Sequence, residues 1–213
     1  MSKIDIVIPV YDEPNDFYYI KRCVESILKY DTTLLNKIIL SDDGEGRLKD
    51  LFDDERIMVV RSGERKYFSG NTNYGVEFVT TEYFITMNSD CMITKFSPDW
   101  IDEFYRNRRE DYGIISSISC IEEDGCSTYT HGLEDGCHGP IAWFIKTEFW
   151  RKMGGLRADG KYIHWHSDVE FIDRVKKTGY KTGLLHIYIQ HEGGKSTPKE
   201  IEHTHIDNSD RII

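Results

Sequence analysis

Four short apolar runs constrain the first half of this 213-residue chain more than any other feature. Residues 3–10 (KIDIVIPV) run into Tyr11-Asp12-Glu13-Pro14, and residues 37–41 (KIILS) into Asp42-Asp43-Gly44. Residues 56–61 (RIMVVR) form the third run, and residues 83–87 (YFITM) end at Asn88-Ser89-Asp90. Runs of this length, rich in β-branched and aromatic residues, read as buried strands rather than helices. Between the first two, Asp16 can cap a helix whose apolar positions Phe17, Ile20, Val24, Ile27 and Leu28 recur at helical spacing. Residues 69–75 (SGNTNYG) lead into a second helix through Val79. The resulting βαβαβαβ order predicts an α/β chain with a parallel sheet and helices on both faces. Such sheets bind ligands at the carboxyl ends of their strands, where the acidic turns fall.

The second half changes character. Residues 98–109 predict a helix with Trp100, Ile101, Phe104 and Tyr105 on its apolar side. Residues 112–121 read as a strand, 122–139 as a long polar loop and 140–146 as a strand. Thr147 is placed to cap a helix carrying Phe149, Trp150 and Met153, stopped by Gly154-Gly155. After His164-Trp165-His166, Ser167 can cap a helix over 168–177 with Glu170 as its capping-box partner. A last strand over 182–189 ends at Gln190-His191-Glu192, and residues 197–213 are polar and without period.

Composition narrows the function. A net charge of −10 argues against a nucleic-acid binder, which needs a basic face. An anionic ligand would therefore need a metal or a local cluster of donors. Five cysteines, an odd number with no CxxC pair, suggest free thiols in a reducing compartment. Cys126, His131, Cys137 and His138 are too irregularly spaced for a strong zinc signal. With no membrane span and no leader segment to read, the expected location is the cytoplasm.

Three carboxylate clusters on one sheet edge repel one another unless a positive group joins them, so a metal–nucleotide complex is a natural partner. Asp90 supplies a hard oxygen for such a cation, although an Asp here could equally cap a turn. The segments IDIVIPVYDEP, IILSDDGEG, GNTNYG, MNSD, GGLRADG, HSDVEF and QHEGGKS stand in the order found in the family-2 nucleotide-sugar glycosyltransferases, which the chain resembles from about residue 4 to 196. The resemblance implies a single GT-A (Rossmann-like) domain over 1–196, with a mixed, mostly parallel central sheet flanked by helices. Its nucleotide half would be about 1–95, its acceptor half about 96–196, and 197–213 a tail.

The resemblance also implies roles. Pro9, Val10 and Tyr11 would lie against the base, Asp12 or Glu13 near the nucleoside, and Asp42 would read base and ribose. Asn73 would lie near the nucleotide and Ser89 by the ribose; independently of the resemblance, Lys195, just past a Gly pair, could reach the diphosphate as a point charge. Asp90 and His191 would hold Mn²⁺ or Mg²⁺, the imidazole favouring Mn²⁺, and Asp168 would be the catalytic base. The donor would be a UDP-sugar or a similar nucleotide-sugar, and the acceptor a glycan or glycoprotein. Two positions depart from the family pattern: Asn88 replaces the first Asp of a DxD, and Ser167 replaces the first acid of an ED pair. Plainer roles are open to the same residues: a first-turn helix residue at Asp168, a solvated strand end at His191, a small core residue at Cys91, and a solvated basic patch at Arg61, Arg65 and Lys66. A non-catalytic nucleotide- or sugar-binding module and a nucleotidyltransferase are the competing functions. A dehydrogenase is disfavoured because no GxGxxG follows the first strand.

Overall fold

All seven residues of the first strand, β1 (Ile4–Val10), are buried in the computed structural model, which describes residues 3–11, 16–120 and 132–193. A strand buried on both sides needs cover on both faces of its sheet, and the rest of the chain supplies it. There follow α1 (Asp16–Lys29), β2 (Leu35–Asp42), β3 (Ile57–Arg61), α2 (Tyr67–Glu77), β4 (Tyr83–Met87) and β5 (Cys91–Ile93). The second half adds α3 (Trp100–Arg106), β6 (Tyr112–Cys120), β7 (Leu133–Asp135), β8 (Ala142–Lys146), α4 (Thr147–Met153), α5 (Ser167–Lys177) and β9 (Lys181–His191).

Alternation along the strands divides the core into two layers. Ile4, Ile6, Ile8 and Val10 pack with Ile20, Val24 and Ile27 of α1 and with Trp100, Ile101 and Phe104 of α3. Val7, Ile39, Phe84 and Trp143 face the other way, against Val76 of α2, Trp150 of α4, and Phe171 and Val175 of α5. The sheet runs β3-β2-β1-β4-β8-β6-β9-β5, with β7 also on β9. Strands β1 to β4 pair in parallel, whereas β8 lies antiparallel between β4 and β6. No described helix is long and apolar enough to cross a membrane.

Several local expectations change. Residues 69–75 do not lead into a helix; they are its body. Both carboxylate oxygens of Asp43 accept from the backbone N–H groups of Lys66 (2.6 Å) and Tyr67 (2.7 Å), which starts α2 early. Gly75 then lets α2 lie on β1, since a Cβ there would fall 2.7 Å from Val7 Cγ1. Between β2 and β3 there is only a 3₁₀ turn, Arg47–Asp50, in place of a helix. Thr147 does not cap α4: its hydroxyl donates to the Thr81 carbonyl (2.8 Å). Nor does Ser167 cap α5. His166 takes the N-cap position at φ 63°, and Ser167 is buried with no hydrogen-bond partner for its hydroxyl. Glu170 pairs with Arg174 instead of closing a capping box. β7 interrupts the expected 122–139 loop, while Cys126, His131 and the 197–213 tail lie outside the described residues.

Candidate functional site

After β4, residues 88–90 leave the centre of the sheet, and β5 pairs antiparallel with the end of β9. The register Cys91↔His191 sets Asp90 beside the last residue of β9. His191 Nε2 lies 3.2 Å from Asp90 Oδ1 and 3.4 Å from Asn88 Nδ2. The Asp90 side chain is only 1 % exposed and that of His191 21 %, so the pair opens to solvent through the imidazole. Cys91 Sγ completes a group of possible ligand atoms within 4.8 Å of one another. Burial, followed by the Asp90 charge, pushes the Cys91 thiol well above its ordinary range, and the thiol packs in the core. Cys91 is fully buried and, unlike Asp90 and His191, is not among the residues lining the adjacent cleft, so a carboxylate oxygen and an imidazole nitrogen are the donors that face it. That donor set fits a small divalent cation such as Mn²⁺.

Asp90 and His191 line a cleft of about 320 Å³ at the carboxyl ends of β1 and β4. Pro9, Val10, Tyr11 and Ser89 line it from the first half of the chain, and Asp168 and the 139–141 segment from the second. Gly139 keeps it open next to Asp168, because a Cβ there would stand 3.2 Å from Asp168 Oδ2. One wall is aromatic. His164 packs edge-on to Trp165 and Phe68, and Ser69 anchors this loop through Ile163 O (3.0 Å) and Tyr162 O (2.6 Å). The two described non-glycine residues with positive φ, Tyr67 (55°) and His166 (63°), both line the cleft. Such strain persists where the surroundings impose it, commonly at working sites.

Asp42 faces an adjoining cavity of about 690 Å³ that shares Tyr11 and Asp43 with the cleft. At that junction the Arg65 guanidinium lies over the Tyr11 ring, its Cζ 3.6 Å from the centroid, and its Nε is 3.1 Å from Asp43 Oδ2. Of the basic patch, Arg65 is therefore built into the site, whereas Arg61 is exposed and Lys66 lines neither cavity. Burial raises the pKa of Asp43, opposed by its two backbone hydrogen bonds and by Arg65 and Lys66.

Asn73 does not reach the cleft. Its amide donates to Leu156 O (2.7 Å) and accepts from Leu156 N (2.8 Å), holding the turn after α4. Asn71, two residues earlier, lines the cleft instead. Asp12, Glu13 and Lys195 lie outside the described residues. Asp43 and Asn71 were both missed as site residues. Reading 69–75 as helix would have found Asn71, which with Thr72, Gly75 and Val76 forms the buried face of α2. Cys137, one of the four residues too irregularly spaced for a strong zinc signal, has its thiol pushed up to about 12 by burial.

The family model described as Glycosyl transferase family 2 matches residues 5–154, so Asp168 and His191 lie beyond it. No curated protein sequence matches the chain. Among solved structures, GalNAc-T7 with UDP, GalNAc and Mn²⁺ is similar at TM-score 0.74 and 15 % identity, over 90 % of this chain and 43 % of that one. The mannosyltransferase PcManGT from Pyrobaculum calidifontis, in complex with GDP-Man and Mn²⁺, is similar at TM-score 0.67 and 13 % identity, over 95 % and 59 %. The chain thus spans roughly half the length of these two proteins.

Proposed function

The chain belongs to glycosyl transferase family 2 and has the GT-A fold, and from that premise we propose that it moves a sugar from a UDP-sugar to a hydroxyl of a glycan or glycoprotein, with Mn²⁺ held by Asp90 and His191. The observation that carries this reading is that the Asp90–His191 pair, Asp168 and Tyr11 line one cleft. Tyr11, with one ring face covered by Arg65, would meet the base through its other face, flanked by Pro9 and Val10, with Ser89 beside the ribose. Asp42, in the adjoining cavity, is the base-reading carboxylate, and Asp12 and Lys195 would complete the donor site. A cation on Asp90 and His191 would offset the charge of the departing nucleoside diphosphate.

Asp168 accepts the proton of the acceptor hydroxyl as its oxygen attacks the anomeric carbon. No carboxylate precedes it, because Ser167 is buried there. Asp168 therefore acts alone. The cleft is lined from both halves of the chain, with His191 of the second half joining Asp90 of the first, and the reading keeps a nucleotide half of about 1–95 and an acceptor half of about 96–196. The similar structures carry UDP in one case and GDP-Man in the other, so the donor panel must include both bases. The test is nucleoside diphosphate release from UDP- and GDP-sugars, with Mn²⁺ and then with chelator. Metal-dependent release from a UDP-sugar is expected. Metal-dependent UDP binding without release, even with glycan acceptors added, would leave a binding module. Absence of nucleotide binding would sink the proposal.

A further inference from the structure

Asn71 is polar, 3 % exposed, and sits in the buried face of α2 at the floor of the cleft. Its amide is committed to the ends of two strands. Nδ2 donates to the Ser41 carbonyl (2.6 Å) near the end of β2 and to the Val10 carbonyl (3.4 Å) at the end of β1. Oδ1 accepts from the Ser41 hydroxyl (2.6 Å). Both N–H groups are therefore used within the fold, and none remains to grip a ligand. The Val10 carbonyl also accepts the Asp43 N–H (2.8 Å), and the Asp43 carboxylate in turn accepts the Lys66 and Tyr67 N–H groups. A ring of hydrogen bonds thus runs from the body of α2 through both strand ends and back to the start of α2.

We propose that Asn71 is a positioning residue: it clamps the Val10–Tyr11 and Asp42–Asp43 turns in the arrangement that accepts the nucleoside of the donor. The clamp rests on the nucleotide reading above, but its mechanical part does not. A buried amide that lost its carbonyl partners would leave both strand ends to drift, whereas loss of the Ser41 hydroxyl alone would keep both amide-to-carbonyl bonds. The two single variants therefore separate positioning from packing.

The experiment compares Asn71→Ala and Ser41→Ala with the parent chain by UDP titration calorimetry with Mn²⁺ and by amide hydrogen exchange at Asp43. Asn71→Asp is the second variant, keeping the volume while removing the donor. The Asn71 variants are expected to bind UDP on the order of tenfold more weakly and to exchange the Asp43 amide faster. Ser41→Ala is expected to lower the melting temperature while leaving both readouts near the parent. Parent-like affinity and exchange in both Asn71 variants would overturn the proposal, as would losses in Ser41→Ala that match those of Asn71→Ala. A parent chain that binds no nucleotide would overturn the function proposed above, and the exchange comparison would then decide the clamp by itself.

Discussion

Asp90 is almost wholly buried, yet the group beside it is an imidazole that reaches the cleft. A buried carboxylate with a titratable partner is a costly arrangement unless the charge is used. The roles proposed for these residues predict different losses. Asp90→Ala should abolish metal-dependent UDP binding, measured by calorimetry with and without Mn²⁺; unchanged affinity in Mn²⁺ would remove Asp90 from the metal site. His191→Ala should raise the Mn²⁺ concentration needed for half-maximal UDP binding and leave the affinity at saturating Mn²⁺ close to the parent's. Asp168→Asn should keep nucleotide affinity and lower transfer by about 10²-fold or more, the usual worth of a positioned base; turnover within a few-fold of the parent would assign the proton to another group. At this scale strand ends and helix starts placed Asp90, His191 and Asp168 at the edges of elements, and the resemblance to the family singled them out as site residues. The sequence could not separate Asn71 from Asn73, because that depends on which face of α2 meets the sheet.

Helix α2 illustrates how an element can be misread when its stabilisation comes from elsewhere. Glycine, asparagine and threonine favour turns over helix interiors, so residues 69–75 look like a loop. The carboxylate that caps the helix is Asp43, which no local pattern reveals. Gly75 marks the closest approach of α2 to β1 and β2, with Ser41 Cβ 3.1 Å from where a Cβ would stand. Gly75→Ala should therefore cost about 1–3 kcal/mol as an overpacking change, read from urea unfolding, despite alanine's better helix propensity. The turn entering β3 has its own electrostatic latch. Arg56 donates through its backbone and side chain to Asp54 and holds that carboxyl down at about 2, from an ordinary 3.8. Because the folded value is the lower one, this stabilisation is complete above 3.8 and fades as the pH falls through about 2. The parent should thus lose melting temperature across that window, and Asp54→Asn should lose less of it. Equal acid sensitivity in the two proteins would show that the latch contributes nothing.

For the molecule as a whole, the cleft draws on both halves of the chain, so a bound donor should stabilise the entire sheet. UDP at 100 times its dissociation constant adds about 2.7 kcal/mol if it binds only the folded chain. The expected result is a rise in melting temperature that requires UDP and Mn²⁺ together and disappears with chelator. A rise from UDP alone would mean that Asp90 and His191 do not share a cation with the nucleotide. The sequence by itself determined the parallel β1–β4 half, the α1 helix on one face of it and the acidic turns at its carboxyl edge, because periodicity and turn chemistry act over neighbouring residues. Only the tertiary structure decided that β8 enters antiparallel, that the end of β9 pairs with β5, and that Asp43 caps α2. The pairing of β5 with β9 brings His191 to Asp90. Strand partners and distant caps are chosen by the packing of whole faces, and a linear pattern carries no record of which face meets which.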